Sequence, residues 1–272
     1  MYAAGVSGGI WKTEDGGNSW RQTGDLLPNI AVNSMAMDPA DPEVIYAGTG
    51  EGYFREKVRG TALPLRGEGI LKTENGGESW VRLPATLGAD FYWVNDLIVS
   101  RNDSRRVYAA TRTGVWRSTD AGESWNRILN AENQNGGCLD LALRTDRSSD
   151  TLFASCGTFE QATVYLNQAA EVDGTWTAVL SEYGMGRTSL AIAPSNQDIV
   201  YALSTSYVAG PDGRFDGGLH AVFRSDEGGS PGSWRATVRN TDPTKLNTLL
   251  LTNPLTASYR TCGLYSSDSY ST

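Results

Sequence analysis

The sequence is poor in residues that bind metals and in long apolar runs. It has one histidine and three cysteines in 272 residues, so a zinc site built from four His or Cys ligands is not expected. We predict neither a bound metal nor a cofactor. No apolar run approaches the ~18 residues that a membrane-spanning helix needs, which predicts a chain without a membrane span.

Positive charge is also in the minority. The chain carries 23 Lys and Arg against 31 Asp and Glu, a formal net charge of -8. Nucleic acids and anionic membrane surfaces attract basic proteins, so the composition argues against nucleic acid as a partner. With 39% hydrophobic residues and 31 glycines, the chain is long and apolar enough to bury a substantial core.

An eight-residue motif, Ser/Thr-x-Asp/Asn-x-Gly-x-Ser-Trp, is repeated along the chain. It occurs at 13–20, 73–80 and 118–125, with a stretched copy at 225–234. Asp and Asn side chains accept hydrogen bonds from backbone N–H groups about two residues on, and the glycine tolerates a positive φ. Each copy predicts a reinforced hairpin turn with the tryptophan opening the next strand. Because an active site is usually single, repetition indicates a structural role for Asp15, Trp20, Asn75, Trp80, Asp120, Trp125 and Trp234.

Short apolar strands accompany each motif. Residues 32–37 and 44–47 are joined by a polar turn, and residues 70–72 lead into the next motif. The same order recurs in later copies, so each unit predicts four short antiparallel strands. Tryptophans close successive units at intervals of about 50 residues, a period typical of propeller blades.

The predicted fold class is therefore all-β, a β-propeller of about five four-stranded blades spanning residues 1–252. The predicted blades are 2–23, which lacks its innermost strand, 31–83, 94–128, 138–180 and 188–238, followed by an inner strand at 246–252 and, at 253–272, a C-terminal tail or a truncated next blade. Residues 246–251 could pair with 2–5 and close a five-bladed ring, or the chain could be a fragment of a larger propeller. We favour the fragment, with further blades in a longer parent chain, because the start is abrupt and the tail runs past the closing strand.

The repeated motif resembles the Asp-box, or BNR-repeat, β-propellers. This group includes bacterial sialidases, xyloglucan-cleaving glycoside hydrolases, sortilin/Vps10 receptors and photosystem assembly factors, and the resemblance covers residues 2–252. It implies that the motif turns lie on the outer rim, away from the central channel. Since enzymes and receptors share the motif, the resemblance does not define an activity.

Two cysteines bear on localisation. In a hairpin centred at Arg147, Cys138 and Cys156 lie directly opposite each other, with Cβ atoms ~4.5–5.5 Å apart. We expect a disulfide; two free buried thiols are the alternative. A disulfide favours export of the parent protein to an extracellular, cell-surface or periplasmic location.

A propeller binds ligands at the mouth of its central channel, where loops 50–68, 85–93, 130–137 and 205–218 are predicted to lie. Their carboxylates, amides and aromatic rings suit sugars, because rings stack on apolar sugar faces and polar groups bond hydroxyls. Ordinary solvated loops are the alternative. The candidate ligand-binding residues are Tyr53, Arg55, Arg59, Asp90, Tyr92, Trp93, Tyr207 and Arg214.

Glycosidase chemistry needs two carboxylates, ~5–5.5 Å apart for retention or ~6.5–9.5 Å for inversion. Glu51 and Asp96 are our catalytic candidates, although Asp96 and Asp140 occupy matching places in successive units, which favours a structural role. Xyloglucan-cleaving relatives carry an aspartate in a Thr-Asp-x-Gly-Gly segment, whereas residues 49–52 read Thr-Gly-Glu-Gly. The Arg-Ile-Pro segment typical of sialidases is absent.

Two functions from different classes follow. We favour an exported propeller domain that binds a polysaccharide or a protein segment at the channel mouth without catalysis. The alternative is a glycoside hydrolase that cleaves a polysaccharide through a carboxylate pair in the channel.

Overall fold

The computed structural model describes residues 1–23, 27, 31–52, 65–131, 136–158, 160–208 and 218–241. Nineteen β-strands and two short 3-10 helices, Pro84–Thr86 and Ala89–Phe91, lie within these ranges. The strands are β1 (Tyr2–Gly5), β2 (Gly9–Lys12), β3 (Arg21–Thr23), β4 (Val32–Met37), β5 (Ile45–Thr49), β6 (Ile70–Thr73), β7 (Val81–Arg82), β8 (Val94–Val99), β9 (Val107–Thr111), β10 (Gly114–Ser118), β11 (Asn126–Asn130), β12 (Cys138–Leu143), β13 (Leu152–Cys156), β14 (Thr163–Asn167), β15 (Thr177–Leu180), β16 (Met185–Ile192), β17 (Val200–Ser206), β18 (Leu219–Ser225) and β19 (Arg235–Arg239).

The strands form five antiparallel sheets in chain order, which confirms the predicted propeller of about five blades. Blade 1 is β1–β3, and blades 2 to 5 are β4–β7, β8–β11, β12–β15 and β16–β19. The first strands of blades 2 to 5 contact one another in succession and therefore line the propeller axis. Blade 1 has three strands in the described residues; the predicted inner strand at 246–252 lies outside them. None of the helices in the described ranges is long and apolar enough to cross a membrane.

The apolar core lies between blades rather than within them. At the interface of blades 2 and 3, Tyr46 and Ile70 from one sheet pack with Val94 and Val107 from the next, and all four side chains are fully buried. Similar clusters join blades 1 and 2, 3 and 4, and 4 and 5. The tryptophans that follow the turns pack into the cluster shared with the preceding blade: Trp80, Trp125, Trp176 and Trp234.

The repeated turn has one hydrogen-bond pattern in blades 1 to 3. In blade 3, Asp120 Oδ1 accepts hydrogen bonds from Ser118 Oγ (2.8 Å) and Ser124 N (2.9 Å), and Ser118 Oγ accepts from Gly122 N (2.8 Å). Asp120 thus accepts from the backbone N–H four residues on, not the predicted two, whereas Ser118 Oγ accepts from the N–H groups both two (3.3 Å) and four residues on. Ala121 and Gly122 have φ of 59° and 98°, so the turn needs two consecutive left-handed residues and glycine suits the second.

The motif turns are also fastened to the loops between first and second strands. The backbone N–H of Gly76 donates to Glu43 O, and that of Gly228 donates to Asp198 O. Both kinds of connection therefore lie at one end of the propeller. The first strands of blades 2 to 5 begin at the other end, which is the channel mouth.

Blade 4 has lost the motif, and a side chain of blade 3 holds its turn instead. Arg117 is 8% exposed. Its Nη1 donates to Ala170 O (2.9 Å) and Val172 O (2.7 Å), and its Nη2 donates to Asp173 Oδ1 (3.1 Å). In the other blades the motif itself provides the hydrogen bonds that hold the turn. In blade 4 the Arg117 guanidinium of blade 3 provides them.

A buried carboxylate joins the same two blades. Asp150 of blade 4 has no exposed surface. It accepts hydrogen bonds from Asn102 Nδ2 (2.7 Å), Tyr108 OH (2.8 Å), Ser100 Oγ (2.8 Å) and Arg106 Nη1 (2.9 Å), all from blade 3. Burial alone raises the pKa of this carboxyl, but these donors outweigh burial and hold the pKa below its usual value. The carboxylate is therefore charged at neutral pH.

The two predicted cysteine partners lie opposite each other at the start of the β12–β13 hairpin, in the register expected from the sequence. Cys138 and Cys156 form a disulfide with an S–S distance of 2.09 Å, and neither has exposed surface. The register shifts just after Cys138, before Asp140. An equivalent bulge occurs early in β4, β8 and β16, so every described inner strand bends beside the channel.

Candidate functional site

The channel mouth is a continuous rim of backbone across blades 2 to 5. Gly67 N donates to Tyr92 O (2.8 Å), Gly157 N to Gly137 O (2.9 Å), and Arg187 N to Thr158 O (3.1 Å). Several of these contacts require glycine: a Cβ on Gly137 would lie 2.3 Å from the Arg112 Cα. The rim segments are thereby held in fixed positions around the channel.

A cavity of about 160 Å³ lies just inside the mouth, between the first strands of blades 2 to 5. Its wall is mostly polar and includes Asn33, Asn95, Asp96, Asp140 and Arg187. These residues sit at or beside the strand bulges, which turn their side chains toward the axis. The channel therefore offers carboxyl, amide and guanidinium groups at one place.

The two aspartates bind backbone of the following blade. Asp96 Oδ2 accepts a hydrogen bond from Leu141 N (2.9 Å), and Asp140 Oδ2 accepts one from Leu190 N (2.6 Å). Asp96 Oδ1 also accepts from Leu97 N (2.8 Å). Asp96 and Asp140, at equivalent positions of successive blades, thus each link their own inner strand to the next one. This favours a structural role for both.

Asp96 and Asp140 also face each other within hydrogen-bonding reach. Burial raises the pKa of Asp96 well above its usual value, and the neighbouring Asp140 raises it further. Burial likewise raises the pKa of Asp140, opposed by the N–H of Leu190. Two carboxyl groups that interact in this way share a proton and titrate as a pair.

This pair predicts a pH dependence of stability. A carboxyl whose pKa is raised on folding binds more protons in the folded state, so its contribution to stability falls as pH rises above its unfolded pKa. We expect Asp96→Asn to gain stability relative to the unmodified protein as pH rises from about 4, the usual pKa of an aspartate, to neutrality. Urea unfolding across that range measures the difference.

Asp120→Asn is the control for this effect. Hydrogen bonds from Ser124 outweigh burial and lower the pKa of Asp120, so its stabilisation is lost only on acidification. Its difference from the unmodified protein should stay constant in the same pH range. A constant difference for Asp96→Asn as well would contradict the proposed shared proton.

Glu51 lies on the rim beside these groups. It is half-buried, and its N–H donates to Leu65 O (2.8 Å). Its neighbour Gly52 packs on Asn95, where a Cβ would lie 2.2 Å from the Asn95 Oδ1, so Glu51 stands next to the strand that carries Asp96. Among the described residues, the Glu51 carboxylate has no hydrogen-bond partner.

Aromatic rings flank the blade 2–3 side of the mouth. Tyr92 and Trp93 meet edge to face, with ring centroids 5.9 Å apart. The Arg66 guanidinium lies 3.5 Å from the Tyr92 ring centroid, and that of Arg112 lies 5.0 Å from the Trp93 ring centroid. Half-buried Asp90 precedes them on a 3-10 helix. The structure thus brings these three predicted residues together.

A second aromatic pair lies across the mouth, between blades 4 and 5. Tyr183 and Tyr207 meet edge to face at 6.0 Å, and Tyr183 is 75% exposed. The loop before Tyr183 is anchored by Glu182, which accepts hydrogen bonds from Arg239 Nη1 (2.6 Å) and Nη2 (3.0 Å). A 2.6 Å hydrogen bond also joins Glu182 to His220 Nε2. The hydrogen bonds from Arg239 are the main reason that the pKa of Glu182 lies below its usual value.

Sequence reasoning identified Tyr207 but missed Tyr183 and its anchor. Tyr183 sits in a connection between blades of the same kind as 85–93, and that position was the available signal. The candidates Tyr53, Arg55, Arg59 and Arg214 lie outside the described residues. The repeated structural residues, from Asp15 to Trp234, lie at the opposite end of the propeller.

No family model matches the sequence. A xyloglucanase from Paenibacillus sp is 25% identical over 209 residues, which is 66% of this chain and 20% of that protein. Xyloglucanase Xgh74A from Acetivibrio thermocellus is 30% identical over 140 residues, 47% of this chain and 16% of that protein. A xyloglucanase from Hypocrea jecorina is 24% identical over 266 residues, 86% of this chain and 30% of that protein.

Solved structures with a similar fold were also found. An ancestral GH74 enzyme superposes with a TM-score of 0.54 at 18% identity, covering 89% of this chain and 37% of that one. The GH74 xyloglucanase from Xanthomonas campestris superposes with a TM-score of 0.50 at 15% identity, covering 87% and 43%. This chain spans less than a third of the curated relatives that it matches. It has a β-propeller fold of about five blades, similar to that of these glycoside hydrolases.

Proposed function

We propose that this chain is the substrate-binding portion of a glycoside hydrolase acting on a neutral polysaccharide of the xyloglucan type. The observation that carries the proposal is the mouth itself, where two aromatic pairs and the Glu51 carboxylate lie on one rim. The curated relatives named above are all xyloglucanases, which favours hydrolysis over the binding role preferred from the sequence. The Cys138–Cys156 disulfide supports an exported parent protein.

The geometry suits an extended sugar chain. The Tyr92–Trp93 pair stands on the blade 2–3 side and the Tyr183–Tyr207 pair on the blade 4–5 side, so a chain that crosses the mouth meets both. Aromatic faces stack on apolar sugar faces, while carboxylate and amide groups bond hydroxyls. Glu51 follows β5 and lies beside the Tyr92–Trp93 pair, since a Cβ on Gly50 would be 2.2 Å from Tyr92 O; there it can bond the bound chain or take part in its cleavage.

For catalysis, we propose Glu51 as one carboxylate and Asp96 as the other. A general acid must hold its proton at working pH, and burial gives Asp96 a raised pKa. Glu51 would act as the charged partner, nucleophile or base. Because Asp96 also bonds the Leu141 N–H, its catalytic and structural roles must be separated by experiment.

The test is reducing-end release from xyloglucan by the intact protein and its variants. We expect Glu51→Gln and Asp96→Asn each to lower kcat by ~100-fold to 10,000-fold, the contribution of a general acid or base. Glu43→Gln, at the opposite end of blade 2, should match the unmodified protein. Undiminished activity in Glu51→Gln would reject its assigned role.

Binding without catalysis is the second candidate. The close contact of Asp96 with Asp140 favours it, since that contact fits a shared proton and inter-blade links better than a cleavage pair. Xyloglucan binding without any reducing-end release would establish this function. If the protein neither binds xyloglucan nor releases reducing ends from it, both candidate functions are rejected.

A further inference from the structure

A larger cavity, of about 410 Å³, lies between blades 4 and 5 at the end opposite the channel mouth. Its walls come from the β12–β13 loop, the turn after β14, the loop before β17 and the turn after β18. Ligand pockets typically measure ~300–1,000 Å³, so this cavity is of ligand size whereas the channel cavity is not. None of the residues that line it belongs to the proposed catalytic site.

The cavity exists because one side chain is short. In blade 3 the residue before the second strand is Arg106, which donates to Asp150 of the next blade (2.9 Å). The strand registers place Thr151 at the same position in blade 4, since Val107 and Leu152 both pair with the last residue of the preceding strand. Thr151 lines the cavity and is too short to reach Asp198, the counterpart of Asp150. The space filled by arginine at one blade interface is open at the next.

A buried donor group faces this space. Arg144 is 4% exposed, and it donates from Nε and Nη2 to Asp146 (2.9 and 2.7 Å) and from Nη2 to Asp198 (2.8 Å). Its Nη1 lies at the cavity wall beside Gly228, where a Cβ would be 2.6 Å away. Within the described part of the chain, Nη1 has no hydrogen-bond partner. This donor can therefore reach a ligand oxygen inside the cavity.

The remaining lining selects the class of ligand. Hydroxyl and amide groups that both donate and accept hydrogen bonds come from Ser148, Ser230 and Gln168. Within the lining, the Asp198 and Glu227 carboxylates balance the Arg144 and Arg147 guanidinium groups, so the cavity has no excess positive charge to attract an anion. A neutral molecule with many hydroxyls matches donors and acceptors on several sides.

We propose that the blade 4–5 cavity binds a neutral sugar, one or two units long, at a site independent of the channel mouth. Arg144 Nη1 donates to a sugar oxygen, and the Asp198 and Glu227 carboxylates accept from sugar hydroxyls. Because the two sites lie at opposite ends of the propeller, this inference can be tested independently of the proposed function.

The neighbouring blade interface supplies the test variant. Thr151→Arg places at blade 4 the side chain that fills the equivalent space at blade 3, with Asp198 as its ion-pair partner. Amide shifts of the intact, isotope-labelled protein are followed by NMR during titration with cellobiose, and with sulfate as the anionic probe. Thr151→Ala is the matched control, since it leaves the cavity open. Ser148→Trp, at an exposed position of the same wall, fills the cavity if Thr151→Arg does not fold.

We expect cellobiose to shift amides of 144–151 and 227–230 in the unmodified protein and in Thr151→Ala. The filled variants should bind at least about tenfold more weakly at these amides. Shifts confined to the mouth, equal binding by the filled variants, or sulfate binding at the cavity in preference to cellobiose would each overturn the proposal. If the sugar does not bind at the channel mouth, only the shifts of the rim amides are lost, and those of the cavity amides remain.

Discussion

Asp150→Ala should lower the free energy of unfolding by about 3–5 kcal/mol, the usual cost of breaking a buried ion pair by removing one partner. The carboxylate has no exposed surface and accepts four hydrogen bonds from blade 3. Its removal leaves Arg106, with a side chain only 16% exposed, without its main anion. The hydroxyl of Tyr108 loses its acceptor at the same time. Urea unfolding at neutral pH measures the loss.

Asp198→Ala is the matched control, because Asp198 occupies the same position one blade later. Its side chain is 53% exposed, and its partner Arg144 keeps Asp146. Exposed pairs contribute ~0–1 kcal/mol, so this variant should differ little from the unmodified protein. Equal losses for the two variants would contradict the special role of the Asp150 network.

Arg117→Ala should lower the free energy of unfolding by about 3 kcal/mol, since it removes three charge-assisted hydrogen bonds, one of them to the buried carbonyl of Ala170. Ala170 has no exposed surface, so its carbonyl would be left without the guanidinium that now satisfies it. The amides of 168–174 should also exchange faster with solvent, because their turn lacks the motif that holds the others. Arg117→Lys should recover only part of the loss, since an ammonium cannot span the same three acceptors.

Lys72→Ala provides the comparison for Arg117. Lys72 immediately precedes the motif in blade 2, as Arg117 precedes it in blade 3, and it pairs with a glutamate that is 70% exposed. We expect this change to cost less than about 1 kcal/mol. An Arg117→Ala variant as stable as Lys72→Ala, with unaltered exchange in blade 4, would show that the degenerate turn does not depend on blade 3.

The blades could be predicted because their signals are local. The motif places hydroxyl, carboxylate and glycine within five residues, and their hydrogen bonds close between Ser118 and Ser124. The strand β4 has the predicted bounds, and β8 begins at the predicted residue 94. The inner strand of blade 5 begins at Met185 rather than the predicted 188, because its bulge adds residues that break the alternation.

The contacts between blades could not be predicted in the same way. Asp150 and Arg117 find partners about 40 to 55 residues away in the chain, and no spacing rule connects them. At the mouth, Tyr92, Trp93 and Tyr207 were found because aromatic residues stand out in polar loops. Tyr183 was missed because its significance depends on the Glu182–Arg239 anchor, which joins segments 57 residues apart.

The central claim is that the mouth of this propeller binds a neutral polysaccharide chain through two aromatic pairs. The most direct measurement is calorimetric titration of the intact protein with xyloglucan oligosaccharides. Binding should weaken by about fivefold to tenfold in Tyr92→Ala and in Tyr183→Ala, the effect of losing one aromatic contact. Trp20→Ala, which removes an aromatic side chain that is 41% exposed at the opposite end, should leave affinity unchanged. Absence of binding, or equal affinity in all variants, would contradict the claim.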